Sequence, residues 1–197
     1  EALGRAVRRI AVWSTGARLI PDYAAALIAL RESPGLPTRG VIAVCDIGAG
    51  ATTLTLVDAA TVGIVGESVR FPDFSGDLID RALLSHVLTV AGVAPGGTGT
   101  SAIGALTRLR AECRDAKQRL STQTVTAVPG EPAGVRGDIR ITRPEFDGIL
   151  RAPLAGLMAA LRDTLQRNGI ALSDLAAVVS VGGMAATPAV TIALSEH

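Results

Sequence analysis

The chain has 197 residues, of which 48% are hydrophobic and 19% are charged, and its formal net charge is +1. This length is enough to bury the core of one domain or of two small lobes. The near-neutral charge gives no electrostatic reason to expect binding to nucleic acid or to an anionic membrane. No apolar run reaches the ~18 residues of a membrane span. We therefore expect no membrane contact from this segment, no nucleic-acid partner and a cytoplasmic location.

Cysteine and histidine usage narrows the chemistry further. Cys45 and Cys113 lie in apolar or helical settings without metal-ligand spacing, which favours buried thiols over a disulfide or a metal site. His86 and His197 have no second imidazole nearby in the sequence, so a histidine-based metal site is not expected. The chain begins with Glu1 and shows no signal peptide, and we expect it to be a fragment or a processed chain.

The first half of the chain predicts helices followed by a strand meander. Apolar residues recur every three or four positions in two segments, and alternating or continuous apolar runs follow them. The predicted elements are a helix over 1–14, a strand over 17–20, a helix over 22–30, and antiparallel strands over 41–46, 52–58 and 61–69.

The second half predicts mostly helices, with one hairpin and one buried strand. A capping-box pair, Thr142 and Glu145, opens one helix, which Pro153 should bend. The predicted elements are a helix from Asp77, a linker over 91–101, a helix to about 120, strands over 122–128 and 138–142, a helix to Asn168, a buried strand over 175–181 and a final helix. The alternation of helices and strands predicts an α/β fold.

One stretch, residues 41–58, combines a carboxylate with a turn of small residues. An apolar strand ends in Asp46, and the turn Gly48-Ala49-Gly50-Ala51 leads into a second strand. Exposed N–H groups of such a turn can hold phosphate oxygens, and an adjacent carboxylate can orient a hydrated divalent cation. The stretch by itself leaves a nucleotide site and an ordinary glycine-turned hairpin both open.

Two further glycine turns follow at Gly76 and at Gly182-Gly183. Glycine at these positions would let the backbone approach a ligand closely. Any α/β protein has such turns, and each is a weak signal alone. Their order and spacing carry more information.

Five segments, in order, resemble motifs of the DnaK-type chaperones, the heat shock protein 70 family. Asp46-Ile-Gly-Ala-Gly-Ala is similar to the family's phosphate loop Asp-Leu-Gly-Gly-Gly-Thr, and Phe74-Ser-Gly-Asp-Leu-Ile-Asp80 to its Leu-Gly-Gly-Glu-Asp-Phe-Asp. The other three are the helix Arg108-Leu-Arg-Ala-Glu-Cys-Arg-Asp-Ala-Lys-Gln-Arg-Leu-Ser121, the segment Ile141-Thr-Arg-Pro-Glu-Phe146 and the segment Val179-Ser-Val-Gly-Gly183. The resemblance extends from about Ala17 to Pro188.

This resemblance implies a fold and a domain organisation. The chain would be the second lobe of an actin-like ATPase domain (ribonuclease-H-like), with a mixed sheet flanked by helices and a smaller α+β subdomain. Residues 1–75 and 172–197 would form the core subdomain, and residues 76–171 the helices and the smaller subdomain. The first lobe and any peptide-binding domain would lie outside this chain.

The resemblance also implies a site for ATP or ADP with Mg²⁺. Asp46 would act on the hydrated metal ion and the attacking water. The nucleotide-binding residues would be Gly48, Ala49, Gly50 and Ala51 at the phosphates, and Gly76, Lys117, Ser121, Gly182, Gly183 and Met184 around the nucleoside. Implied partners are the first lobe of the same protein and co-chaperone or client proteins.

Departures from the family pattern weaken the expectation of catalysis. Ala49 replaces a glycine and Ala51 a threonine of the phosphate loop, while Thr53 stands where a metal-side aspartate is expected. Pro21 occupies the place of a catalytic-site glutamate, with Asp22 beside it as a substitute.

The residues expected around the nucleoside also differ from the family pattern. Arg114 replaces a glutamate that would hydrogen-bond the ribose. Met184 and Ala186 replace a serine and an arginine of the adenine pocket. Two readings therefore stay open, a nucleotide-binding lobe with weakened hydrolysis and a degenerate pseudo-ATPase that serves as a scaffold. A sugar kinase is disfavoured by the Ala-Lys helix and the Ile-Thr-Arg segment.

Overall fold

The structure, a computed structural model, describes residues 20–30, 35–93 and 100–196. The chain divides into two compact units, Glu1–Leu36 and Pro37–His197. In the first unit, helix α1 (Asp22–Leu30) forms where the sequence predicts it and buries Leu27. The helix predicted over 1–14 lies outside the described residues, as does nearly all of the strand predicted over 17–20.

In the described part of the second unit there are two sheets and four α-helices. Its strands are β1 (Val41–Ile47), β2 (Thr52–Asp58), β3 (Val69–Phe71), β4 (Val125–Pro129), β5 (Asp138–Thr142) and β6 (Leu175–Gly182), and its helices are α2 (Gly76–Val90), α3 (Thr100–Leu120), α4 (Arg143–Arg167) and α5 (Pro188–Ser195). The larger sheet has the order β3-β2-β1-β6, and β4 pairs with β5 in a second sheet. Because β1 is antiparallel to β2 and parallel to β6, the larger sheet is mixed, and the predicted α/β class with a mixed sheet is confirmed.

Helices α2, α3 and α4 share one hydrophobic core with strands β1 and β2 of the larger sheet, and α4 contacts β2 and β3 directly. Alternate residues of β1 point into this core, as expected for the two-residue period of a strand, and the helices contribute residues three or four positions apart. Representative core residues are Ala43, Cys45, Ile47, Leu54, Leu56, Ile79, Leu83, Leu109, Cys113, Phe146, Leu150 and Leu157.

The extent predicted for the third strand, 61–69, is wrong, because β3 begins only at Val69. After β2, the Asp58 carboxylate accepts hydrogen bonds from the N–H and the hydroxyl of Thr61, which forms a tight turn. Val62 and Gly66 then adopt positive φ angles of 58° and 73°. These left-handed conformations turn the chain away from a regular ladder, so the apolar alternation in this segment does not produce a long strand.

Strand β6 forms where it is predicted, but it is not buried. Each of its residues is partly or fully exposed. The reason is its position at the edge of the sheet, where β1 is its partner among the described strands. The apolar composition predicted a buried strand, whereas burial depends on the neighbours that the fold supplies.

Helix α4 begins at the predicted capping box. The Thr142 hydroxyl oxygen accepts a hydrogen bond from the Glu145 N–H at 3.4 Å, and the Glu145 carboxylate accepts from the Thr142 N–H at 2.7 Å. The helix continues through Pro153 to Arg167, so the proline does not end it, and the predicted bend stays a prediction. No helix in the described part of the chain combines the length and apolarity needed to cross a membrane.

Candidate functional site

The parallel pairing of β1 and β6 brings two glycine turns to one edge of the sheet. Asp46 is opposite Val181, and Ile47 is opposite Gly182. Because the carboxyl ends of parallel strands lie at the same edge, the turn after β1 and the turn after β6 are neighbours. Segments separated by more than a hundred residues of sequence therefore meet beside the Asp46 carboxylate.

Gly182 makes this close approach possible. Its φ angle is 96°, and a Cβ atom added there would clash with the carbonyl oxygen of Ile47. The same Cβ would lie 3.1 Å from Oδ1 of Asp46. The absence of a side chain thus lets the backbone of β6 lie against the end of β1, beside the Asp46 carboxylate.

The turn after β1 is hydrogen-bonded to the start of helix α2. The Gly48 N–H donates to the Ala51 carbonyl at 3.0 Å and closes the turn. The carbonyls of Gly48 and Ala49 accept hydrogen bonds from the N–H groups of Gly76 at 3.0 Å and Asp77 at 2.8 Å. The N–H groups of Gly48, Gly76 and Asp77 are therefore hydrogen-bonded within the protein. A phosphate at the turn would need other backbone or side-chain donors.

Helix α3 places the chain's single lysine against the start of α2. The Lys117 ammonium lies 2.7 Å from Oδ1 of Asp80 and donates to the Gly76 carbonyl at 3.2 Å. A Cβ atom added at Gly76 would lie 3.5 Å from the Lys117 Nζ and 3.4 Å from the Cα of Ala49. Turn, helix α2 and lysine are thus in direct contact.

Asp80 connects two basic side chains of α3, Lys117 and Arg114. Its side chain is only 2% exposed, and its second oxygen accepts a hydrogen bond from Nε of Arg114 at 3.2 Å. The Arg114 Nη2 lies 3.7 Å from Oδ1 of Asp77. Neither Asp77 nor Asp80 is among the predicted site residues, since no spacing rule predicts contact with a helix about thirty residues later.

A cavity of about 230 Å³ lies between these elements. Six predicted site residues line it, namely Gly48, Ala49, Gly76, Lys117, Gly183 and Met184. Its wall also includes Asp77, Asp80, Arg114 and Gln118, which were not among the predicted site residues. The volume is below the roughly 300 Å³ at which small-molecule sites begin.

The other five predicted residues do not line the cavity. Asp46 and Gly182 lie at the adjoining strand ends, and Gly50 and Ala51 complete the turn. Ser121 follows the end of α3, where its hydroxyl donates to the Lys117 carbonyl at 3.4 Å.

The charges around the cavity balance each other. Asp77 and Asp80 supply two carboxylates, and Arg114 and Lys117 supply two cations. A neutral, hydrogen-bonding part of a ligand, such as a nucleoside, suits this wall better than a polyanion, because an anion would compete with the carboxylates for both cations. Phosphate groups would instead lie toward Asp46 and the turn.

A magnesium ion at this site would be held by Asp46, by water and by the phosphate groups of a bound ligand. Within the described residues, no three His, Cys, Asp or Glu side chains are grouped closely enough to hold a metal ion. Magnesium is commonly held by one or two carboxylates, water and substrate phosphates. One carboxylate, that of Asp46, together with water and ligand phosphates would match that donor set.

Both cysteines are buried free thiols, as predicted. Burial raises the pKa of Cys45 and of Cys113 to about 12. These thiols are therefore protonated near neutral pH and do not supply a nucleophile or a soft metal ligand.

Comparison with known proteins gives a consistent set of similarities. The model of the family described as Hsp70 protein matches residues 15–197. A "Chaperone protein HscA homolog" from Delftia acidovorans is 30% identical over 184 residues, which cover 91% of this chain and 28% of that relative. A protein of the same description from Methylococcus capsulatus is 32% identical over 161 residues, which cover 80% of this chain and 25% of the relative. The chain thus spans only about a quarter of the length of these relatives.

Proposed function

This chain belongs to the Hsp70 protein family, and we propose that it is the second lobe of an actin-like nucleotide-binding domain that binds ATP or ADP with Mg²⁺. The nucleotide would lie in a cleft completed by the first lobe of the same protein. The family supports a chaperone role, with co-chaperone and client proteins as partners.

One observation carries this proposal. Four segments far apart in the sequence, around residues 46–51, 76–80, 114–118 and 182–184, meet at one sheet edge. The meeting requires glycine at Gly182 and holds Lys117 by a buried carboxylate. A hairpin with an ordinary glycine turn requires none of these long-range contacts.

The residues divide into a nucleoside side and a phosphate side. Lys117 and Arg114, with Gly76 and Met184, would contact the base and sugar in the charge-balanced cavity. Asp46 would accept hydrogen bonds from water molecules around a magnesium ion. The ion, when bound, supplies charge neutralisation at the phosphates.

We propose slow hydrolysis, because the phosphate side has few catalytic groups. Thr53 is paired with Asp46 across β1 and β2, so no second carboxylate is present at that position. Ala51 has no hydroxyl to offer a terminal phosphate. The same two residues support the second candidate, a scaffold that keeps the fold without nucleotide turnover.

Titration calorimetry with Mg·ATP on the full-length protein tests the proposal. We expect Asp46→Asn to weaken binding about tenfold or more when Mg²⁺ is present, since one charge-assisted contact contributes roughly 1.5–3 kcal/mol. In excess chelator the two proteins should bind ATP with similar affinity.

The control is Asp163→Asn, which neutralises an exposed carboxylate of helix α4 and should leave binding unchanged. Absence of binding heat from the wild-type protein would contradict nucleotide binding. Binding without phosphate release, in a parallel turnover assay, would select the scaffold.

A further inference from the structure

A basic side chain lies beside the phosphate-side turn in a position that no sequence motif indicates. Arg70, in strand β3, is directly opposite Thr53 of β2, and Thr53 is directly opposite Asp46 of β1. Residues that are directly paired across strands project to the same face of a sheet. Asp46, Thr53 and Arg70 therefore form one row on one face, at the end of the sheet where the turn lies.

The Arg70 guanidinium reaches the turn itself. A Cβ atom added at Gly50 would lie 3.7 Å from Nη2 of Arg70. The Arg70 side chain is exposed, and no hydrogen bond or ion pair joins it to another residue in the ranges 20–30, 35–93 and 100–196. Its N–H donors are thus available to a ligand at the turn.

Arg70 and Arg114 differ in this respect. The Arg114 Nε is bonded to the buried Asp80, and its Nη2 lies 3.7 Å from Asp77. The cations of the cavity are neutralised by these carboxylates, whereas Arg70 has no such counter-charge among the described residues. The free positive charge of this edge is therefore on the phosphate side.

We propose that Arg70 binds the terminal phosphate groups of the nucleotide, an inference that rests on the proposed function. A guanidinium presents paired N–H donors that match phosphate oxygens. The turn needs such a donor, because the Gly48 N–H is committed to the Ala51 carbonyl and Ala51 has no hydroxyl. With this contact, the affinity of the protein for a nucleotide would depend more on the number of its phosphate groups than on its nucleoside.

The test compares ATP, ADP, adenosine and inorganic pyrophosphate by calorimetry on the full-length protein. Arg70→Met keeps an unbranched apolar stem and removes the charge. We expect it to weaken ATP and pyrophosphate binding at least tenfold and adenosine binding less than twofold. Arg70→Lys should lie between the two, since it keeps the charge without the paired donors.

Arg81→Met is the matched control, because Arg81 is an exposed arginine on helix α2 outside this sheet. It should bind every ligand as the wild type does. Raising the salt concentration should narrow the difference between wild type and Arg70→Met, since the interaction of an exposed guanidinium is screened.

Three outcomes would overturn the assignment. Unchanged ATP affinity in Arg70→Met would remove Arg70 from the site while leaving the proposed function in place. Equal losses for ATP and adenosine would indicate damage to the fold instead of a lost phosphate contact. If the wild type binds neither nucleotide nor pyrophosphate, both proposals fail, whereas Arg70-dependent pyrophosphate binding without nucleotide binding would uphold the phosphate contact alone.

Discussion

Gly182 is the residue on which the geometry of the sheet edge depends most directly. Its φ of 96° is accessible to glycine at little cost, and a Cβ atom there would overlap the Ile47 carbonyl. Its neighbour Gly183 has no atoms within 4 Å of an added Cβ. Two adjacent glycines thus have different physical roles, a difference that the dipeptide in the sequence does not reveal.

We expect Gly182→Ala to lower the free energy of unfolding by about 2–5 kcal/mol, combining left-handed strain of ~1–2 kcal/mol with overpacking of ~1–3 kcal/mol. Gly183→Ala, the matched control, should change it by less than about 1 kcal/mol. Chemical denaturation of both variants measures the difference. Equal stability of the two variants would contradict the close approach of β6 to β1.

Asp80 is a second residue whose role became visible only through its contacts. Its 2% exposed carboxylate faces Lys117 at 2.7 Å, and the lysine side chain is itself only 10% exposed. Removing one partner of a buried ion pair leaves the other charge without compensation in a low-dielectric environment. The Asp77 side chain is 39% exposed and lies 3.7 Å from the half-exposed guanidinium of Arg114. Its loss would not leave a buried charge uncompensated.

We therefore expect Asp80→Asn to lower the free energy of unfolding by about 2–4 kcal/mol, somewhat less than for a fully buried pair because Arg114 is solvated. Asp77→Asn should cost less than about 1 kcal/mol, as an exposed pair does. Urea titrations of the two variants, which alter a buried and an exposed carboxylate of the same helix, provide the comparison. A larger loss in Asp77→Asn would show that Asp80 does not hold the lysine.

At the scale of elements, the capping box of α4 is a local device that the sequence specifies fully. Hydrogen bonds from the hydroxyl and N–H of Thr142 lower the pKa of Glu145 from its ordinary value of 4.5. The ionised carboxylate is therefore favoured in the folded state. Its contribution to stability is present above pH 4.5 and is lost as the pH falls through the lowered folded-state value.

We expect Glu145→Gln to be less stable than the wild type at pH 7, by under about 1 kcal/mol because the carboxylate is well exposed and the amide still accepts a hydrogen bond. The gap should close as the pH falls below 4.5. Denaturation midpoints measured from pH 7 to pH 3 follow it, with the exposed Glu131→Gln as control. A gap independent of pH would show that the charge of Glu145 does not stabilise the cap.

Strands β3 and β6 show where element-scale reasoning reaches its limit. The hydrophobic pattern over 61–69 suggested a strand, but the Asp58–Thr61 turn and the positive φ angles of Val62 and Gly66 interrupt it. For β6, the apolar composition located the strand but not its exposure, because an edge position is a property of the sheet. The first error comes from local turn chemistry that the hydrophobic pattern does not report, and the second from non-local structure that overrides a local preference.

At the scale of the whole molecule, the sequence by itself determined the α/β class, most element positions, the capping box and the family. These depend on local periodicity, on turn residues and on ordered motifs, all of which can be read along the chain. The motif residues Gly48, Gly76, Lys117 and Gly183 were likewise predicted, and the structure places them around one cavity.

Only the tertiary structure decided which side chains share a counter-charge and which lie together on one face of the sheet. The Asp80–Lys117 pair joins two helices, and the row of Asp46, Thr53 and Arg70 exists because three strands pair in one register. Neither arrangement has a fixed spacing in sequence, since each depends on where helix packing and strand pairing bring distant segments. Because Asp80 is buried, its loss is expected to lower the free energy of unfolding. Because Arg70 is exposed, its N–H donors can contact a phosphate.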